Sequence, residues 1–325
     1  MKNRVLSLIL TVALLITFLP LGAVRVHAVN EFTVSDEMLA ILKEFEGFSA
    51  KPYWDYGQWT VGYGTRAPAE HLERYQTEGI SREEAEELLR DFLTEYGEEV
   101  NKFANKWNLE LTQGQFDALL SLSFNCGPNW MSDREVSTFK SAVIEGRTGN
   151  DFLFAMGQWS TAGGEVQRGL VRRRLIEINM YLNGVYSMEV PENYDYVLYD
   201  ANGGERDVKV QCYDSTLTAT PISVPTYEGH TFLGWYTAAE GGEKVELLDE
   251  SVASFKLYAH WSEGASDTPD VPGQITGTPV KEQRVVLAGS INVLEQPVSG
   301  SNVVGSVKKD ALVQIVAEYT DENGT

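Results

Sequence analysis

The spacing of apolar residues changes once along this chain, near residue 187, and that change rules out a single fold with one repeating pattern. Up to Gly184 the apolar residues recur at helical spacing. Met38, Ile41, Leu42 and Phe45 follow Ser35, a residue suited to cap a helix. Leu88, Leu89, Phe92 and Tyr96 follow Ser81 and Glu84, which have the spacing of a capping box. Phe116, Leu119, Leu120 and Leu122 follow Thr112. Between the first two predicted helices, Trp59, Val61 and Tyr63 alternate with small or polar residues and predict a strand. Beyond Tyr186 the apolar runs are short, at 196–199, 208–213 and 255–261, and Gly, Pro, Asp and Asn turns separate them. Helices need a period of 3.6 and strands a period of 2. The chain therefore predicts an α+β organisation in successive modules, in keeping with its 325 residues.

Residues 263–283 are rich in Ser, Asp, Thr, Pro and Gly and predict a linker. β patterning resumes over 284–325 through runs at 285–287, 291–293, 303–307 and 312–316, and the last module reads as cut short at residue 325. At the other end, Lys2 and Arg4 precede an apolar run that closes at Pro20, and Val26-His27-Ala28 presents compact residues to a signal peptidase. This predicts a secretory leader over 1–28, and hence an exported chain with no membrane span once the leader is removed.

Acidic residues outnumber basic ones 47 to 26, a net charge of −21. Nucleic acid is an unsuitable partner for such a chain, because binding it requires cationic surface. Without the leader the charge is −24, of which −10 lies before Ser187 and −14 after it. The four histidines are scattered and form no zinc motif, so neither a metal nor a cofactor is expected. Cys126 and Cys212 read as two unpaired thiols.

Residues 44–64 carry the chemistry. Glu46 falls at the end of the first predicted helix, with Gly47 placed as its C-cap and Phe45 and Phe48 beside it. The negative end of the helix dipole and an apolar setting both favour a protonated carboxyl, which is what a general acid requires. Asp55 follows on a turn in more polar company, where it can stay ionised, and Thr60 comes from the strand behind it. Two carboxyls in unlike environments are the apparatus of glycoside hydrolysis. Spacing alone leaves open that both are solvated surface residues.

The segment resembles the phage-type lysozymes, glycoside hydrolase family 24. Glu46-Gly47, Pro52-Tyr53, Asp55 and Trp59-Thr60-Val61-Gly62-Tyr63-Gly64 are similar to the family's acid, turn and strand. Ile80-Ser81 through Leu89, then Gln115 to Leu119 with Phe124-Asn125 and Gly127, resemble its long helix and its core helix. Trp159, Gly163-Gly164, Gly169-Leu170-Val171, Arg173-Arg174 and Glu177 resemble its C-terminal signature. The resemblance implies a mainly helical lysozyme-like catalytic domain with a small β-hairpin lobe, over residues 29–187. It makes Glu46 the proton donor and Asp55 the base for an attacking water, aided by Thr60. The implied activity is that of a muramidase, cutting the β-1,4 bond from N-acetylmuramic acid to N-acetylglucosamine in peptidoglycan with inversion. It also implies an arginine near the acid, for which Arg173 is the first candidate and the adjoining Arg172 and Arg174 are the alternatives. Tyr53 and Trp59 are candidates to stack on sugar rings, whereas Trp107, Trp130 and Trp159 are expected in the core.

Residues 194–262 resemble the Listeria–Bacteroides repeat, through Tyr199 to Gly204, Phe232 to Thr237 and Leu257 to Trp261, which implies a β-grasp-like module. Residues 284–325 are similar to the start of a bacterial Src-homology-3-type wall-binding domain, through Asn292-Val293, Pro297 and Ser301 to Gly305, which implies a β-barrel-like module. Together these resemblances describe a secreted, wall-associated, monomeric peptidoglycan hydrolase of endolysin or autolysin type. The rival readings are a non-catalytic glycan-binding or adhesion protein, and a chitin-type glycosidase.

Overall fold

The computed structural model describes residues 29–55, 57–135, 137–252 and 255–263, together with the backbone of four strands between 278 and 318. The leader expected over 1–28 lies outside the described residues. Among those described, no helix is long and apolar enough to cross a membrane. They divide into two compact units, the first running to Trp261 apart from Gly229–Thr231 and the second holding Gly229–Thr231 and the residues from Ser262 onward.

The first helix, α1 (Asp36–Glu46), starts where the sequence places it, with Ser35 Oγ accepting the Met38 amide at 3.1 Å. It stops at Gly47, whose φ of +67° turns the chain out of the helix while its N–H still reaches the Lys43 carbonyl. The chain then forms a three-stranded antiparallel sheet, β1 (Ser49–Asp55), β2 (Gln58–Gly62) and β3 (Thr65–Arg66). After a short helix, α2 (Leu72–Thr77), comes the long α3 (Arg82–Lys106). Ser81 caps α3 through the Glu84 amide, but the expected box is only half made. The Glu84 carboxylate pairs instead with Arg74 and accepts from the Tyr75 hydroxyl at 2.8 Å, because α2 packs close enough to offer a cation.

Helix α4 (Gln113–Cys126) has a complete capping box, made by Thr112 and Gln115, and buries Phe116, Leu119, Leu120 and Leu122. Its Asp117 is fully buried and accepts from the Ser35 hydroxyl and the Tyr186 hydroxyl, both at 2.6 Å. One carboxylate thus ties together the start of α1, the centre of α4 and the chain that leaves the catalytic lobe. Helices α5 (Thr138–Ile144) and α6 (Gly149–Gly157), the small hairpin of β4 (Thr161–Ala162) and β5 (Glu165–Val166), and α7 (Arg168–Asn183) complete the lobe. Trp130 is in the core as expected, between Phe103 and Phe139, with its indole N–H on Ser123 Oγ. Trp107 is not. It is the C-cap residue of α3, with 41% of its surface exposed and the Lys106 ammonium 6.0 Å from its ring centroid.

The repeat region is a five-stranded mixed sheet in the order β7-β6-β10-β8-β9, formed by β6 (Tyr194–Asp200), β7 (Val210–Asp214), β8 (His230–Tyr236), β9 (Lys244–Val245) and β10 (Lys256–Glu263). Strands β6 and β10 run parallel, and Tyr199, Tyr213, Trp235 and Leu257 fill a small core of its own. Its edge strand β7 packs on α6, however, and Tyr194, Val210 and Cys212 belong to the core of the helical lobe. A Cβ on Gly157 would lie 2.7 Å from Cys212 Sγ, so only glycine lets helix and strand approach this closely. Polar bonds frame the contact. Asn150 Oδ1 accepts the Asp214 amide at 2.6 Å, Asn150 Nδ2 donates to the Leu217 carbonyl at 2.8 Å, and Gln158 donates to the Val210 carbonyl at 2.8 Å. Burial raises the Cys212 thiol pKa to about 12. Both cysteines are unpaired.

In the second unit, β11 (Thr278–Val285) pairs antiparallel with β14 (Leu312–Glu318), and β12 (Ser290–Leu294) with β13 (Val303–Lys308). Strand β11 begins inside the expected linker of 263–283 and includes only the first residue of the run expected at 285–287. Composition measures chain stiffness, whereas this strand depends on a partner more than 25 residues away, and its register slips between Pro279 and Glu282.

Candidate active site

Three elements converge on Glu46. Its own helix ends there, so the side chain projects from the last turn of α1. Arg173, on α7, donates from Nη1 to Glu46 Oε1 at 2.7 Å, with its side chain only 8% exposed and its guanidinium carbon 4.6 Å from the Phe45 ring centroid. The turn between β2 and β3 supplies Gly64, whose φ is +79°. A Cβ at that position would lie 3.1 Å from Glu46 Oε2, so the backbone passes directly beside the second carboxyl oxygen. Of the three adjacent arginines 172–174, Arg173 is thus the one that meets the acid.

The hairpin carries the other candidate residues. Cross-strand partners project from the same face of a sheet, and side chains alternate along each strand. Tyr53 is paired with Thr60, Trp54 with Trp59 and Asp55 with Gln58. Tyr53, Asp55 and Thr60 therefore share one face. Trp54 and Trp59 take the other, edge to face with centroids 5.5 Å apart, and Trp59 packs against the lobe's core. The two aromatic residues proposed to stack on sugar do not stand together. Tyr53 is on the face of Asp55 and half exposed, and Trp59 is behind it. Thr60 is buried, and its hydroxyl oxygen has no hydrogen-bond partner among the described residues.

The electrostatics point to the same space. Burial raises the Tyr53 hydroxyl pKa above its ordinary value of 10.0, and the carboxylates of Asp55 and Glu46 raise it further. Both charges thus act on one phenol. Burial pulls the Arg173 pKa down, but Glu177 and Glu46 more than offset this and hold it above its ordinary value. A permanent buried cation, a carboxyl at a helix end, and a second carboxyl on a hairpin face with an unpartnered hydroxyl can together donate a proton and orient a water.

The phage lysozyme family model matches residues 43–177, a stretch that holds Glu46, Asp55, Thr60 and Arg173, and the Listeria-Bacteroides repeat domain model matches 196–260. The endolysin of Bacillus phage B103 is 32% identical over 154 residues, which is 46% of this chain and 54% of that protein. The endolysin of Bacillus phage PZA is 31% identical over 199 residues, which is 59% of this chain and 72% of that one. The chain thus spans only about half the length of the first of these relatives. Among solved structures, the endolysin from Escherichia coli O157:H7 phage FAHEc1 is 30% identical, with a TM-score of 0.41, and the match covers 49% of this chain and 99% of that one.

Proposed function

The chain belongs to the phage lysozyme family, and from that premise we propose that it is a muramidase that hydrolyses peptidoglycan with Glu46 as acid and Asp55 as base. The observation that carries this reading is the 2.7 Å bond between Glu46 and buried Arg173, together with a hairpin that presents Tyr53, Asp55 and Thr60 on one face. Arg173 occupies Oε1 of Glu46, so Oε2, beside Gly64, is the oxygen that carries the proton to the glycosidic bond. As that bond breaks, positive charge develops on the sugar ring, and ionised Asp55 takes a proton from a water attacking the opposite face. The unpartnered Thr60 hydroxyl is suited to hold that water. The products then have inverted configuration, which requires the carboxyls to stand about 6.5–9.5 Å apart. Tyr53 is the aromatic residue placed to contact sugar, and Trp59 supports the hairpin from behind.

The modules complete the reading. A leader over 1–28 exports the chain as a monomer to act at the wall. The five-stranded sheet of 194–262 is read as a β-grasp-like repeat module, with the parallel β6 and β10 near its centre. The strands within 278–318 are read as part of a Src-homology-3-type wall-binding domain, supported by two antiparallel pairs. Purified protein incubated with isolated peptidoglycan is expected to release new reducing ends. Release of free amino groups without reducing ends would instead mean that a peptide or amide bond is cut, and the glycosidase reading would fail.

A further inference from the structure

We infer that Glu177 is a positioning residue for the acid: it grips Arg173 from behind, so that the guanidinium meets Glu46 in one orientation, and it balances a second buried guanidinium, that of Arg174. This inference rests on the glycosidase reading of Glu46. Glu177 lies one turn after Arg173 on α7 and its side chain is fully buried. Its Oε1 accepts from Arg173 Nε at 3.1 Å, from the Ser121 hydroxyl at 2.5 Å and from Arg174 Nη2 at 3.3 Å. Its Oε2 lies 2.8 Å from Arg174 Nε, misaligned for a hydrogen bond, so that contact is ionic only. Arg174, also fully buried, is held at its far end by Asn125 Oδ1 at 2.8 Å.

An arginine side chain anchored at one nitrogen can still swing through several rotamers. Arg173 is anchored by Glu177 at Nε, by the Ser121 carbonyl at Nη2 (3.4 Å) and by the Phe45 ring, which leaves Nη1 for Glu46. With Glu46 ionised, the charges within the cluster cancel, two guanidiniums against Glu46 and Glu177. The other charged or titratable groups that face it, among the described residues, include Tyr53 on β1, with Asp55 acting on the same phenol, Cys126 on α4, whose sulfur accepts from Arg174 at 3.4 Å, and Cys212 on β7, whose thiol the Arg174 charge reaches.

Neutralising Glu177 leaves two buried cations to act on Glu46 alone, and an acid beside excess positive charge gives up its proton at lower pH. For Glu177→Gln, kcat is expected to fall roughly tenfold to a hundredfold, with KM nearly unchanged. The alkaline limb of the rate profile should move about one pH unit lower. In Arg174→Met/Glu177→Gln the charges balance again. That limb is expected to return to its wild-type position while kcat stays about tenfold down, because Arg173 still lacks its anchor at Nε. If Glu177→Gln yields no folded protein, the kcat of the double variant decides. A folded Glu177→Gln enzyme, or failing that a double variant, with wild-type kcat and wild-type pH profile would overturn the inference. If the wild-type protein releases no reducing ends, the glycosidase reading fails first, an outcome distinct from either.

Discussion

Glu46→Gln is expected to lower the release of reducing ends from purified peptidoglycan by roughly 10²–10⁴-fold, with thermal stability close to wild type. The amide has the shape of the acid, and its carbonyl oxygen can still accept from Arg173, which donates to Oε1 at 2.7 Å in the wild type. What the substitution removes is the proton. An uncatalysed alkoxide is a poor leaving group from a sugar, so losing the acid raises the barrier even when glycan binds normally. Arg173→Met is a different lesion. It removes a buried cation and leaves the buried Glu177 without one of its two ion-pair partners, so part of its effect is on stability. Comparing kcat and melting temperature for the two variants separates loss of the proton from loss of the scaffold. A Glu46→Gln protein that keeps more than about a tenth of wild-type activity would place the acid elsewhere.

The second large effect concerns the repeat module. A chain ending at Glu189 keeps every helix of the catalytic lobe but loses Tyr194, Val210 and Cys212, which complete its core. Each such side chain contributes about 1.5–3 kcal/mol when buried, and three of them approach the whole stability of a small domain, about 5–15 kcal/mol. The cut also leaves Gln158 and Asn150 without the β7 and Leu217 partners they have in the full chain. The expected result is a fall in Tm of about 10–25 °C, measured by circular dichroism on the helical signal. In the full chain, the lobe and the repeat should melt in one transition. Equal melting temperatures for the two chains would mean that the module is a mere passenger. Gly157→Leu in the full chain wedges the same contact apart and should reproduce part of the loss.

The features legible in the sequence are those encoded by neighbours in the chain. Ser35 and Gly47 mark the ends of α1 because a cap needs only a side chain or a positive φ at one position. The hairpin of Asp55 and Thr60 could be read from alternation, and Arg173 from the resemblance, although only the folded chain distinguishes Arg173 from Arg172 and Arg174. Whether an aromatic residue faces the cleft depends on cross-strand register. Tyr53 pairs with Thr60, and Trp59 falls on the other face for that reason. Contacts between distant segments left no local mark. The Glu84 carboxylate was diverted by Arg74, the strand at Thr278–Val285 required Leu312–Glu318, and the close approach of Gly157 to Cys212 joins two regions that read as separate modules. The Glu177 cluster did have a signal, since Arg173 and Glu177 stand four apart on one helix. Its meaning appears only once Ser121 and Glu46 are seen around it.

The central claim is that this chain cuts one glycosidic bond and not its neighbour, and the sugar left at the new end tests it most directly. Peptidoglycan digested with the full chain, then reduced with borohydride and hydrolysed, is expected to yield reduced muramic acid, with none formed above background by Glu46→Gln. Reduced glucosamine in its place would show that the alternate bond is cut. Neither reduced sugar would mean that no new hemiacetal end is formed, whether because the glycan is left intact or because it is cut with closure to an anhydro sugar, and either result would contradict the assignment.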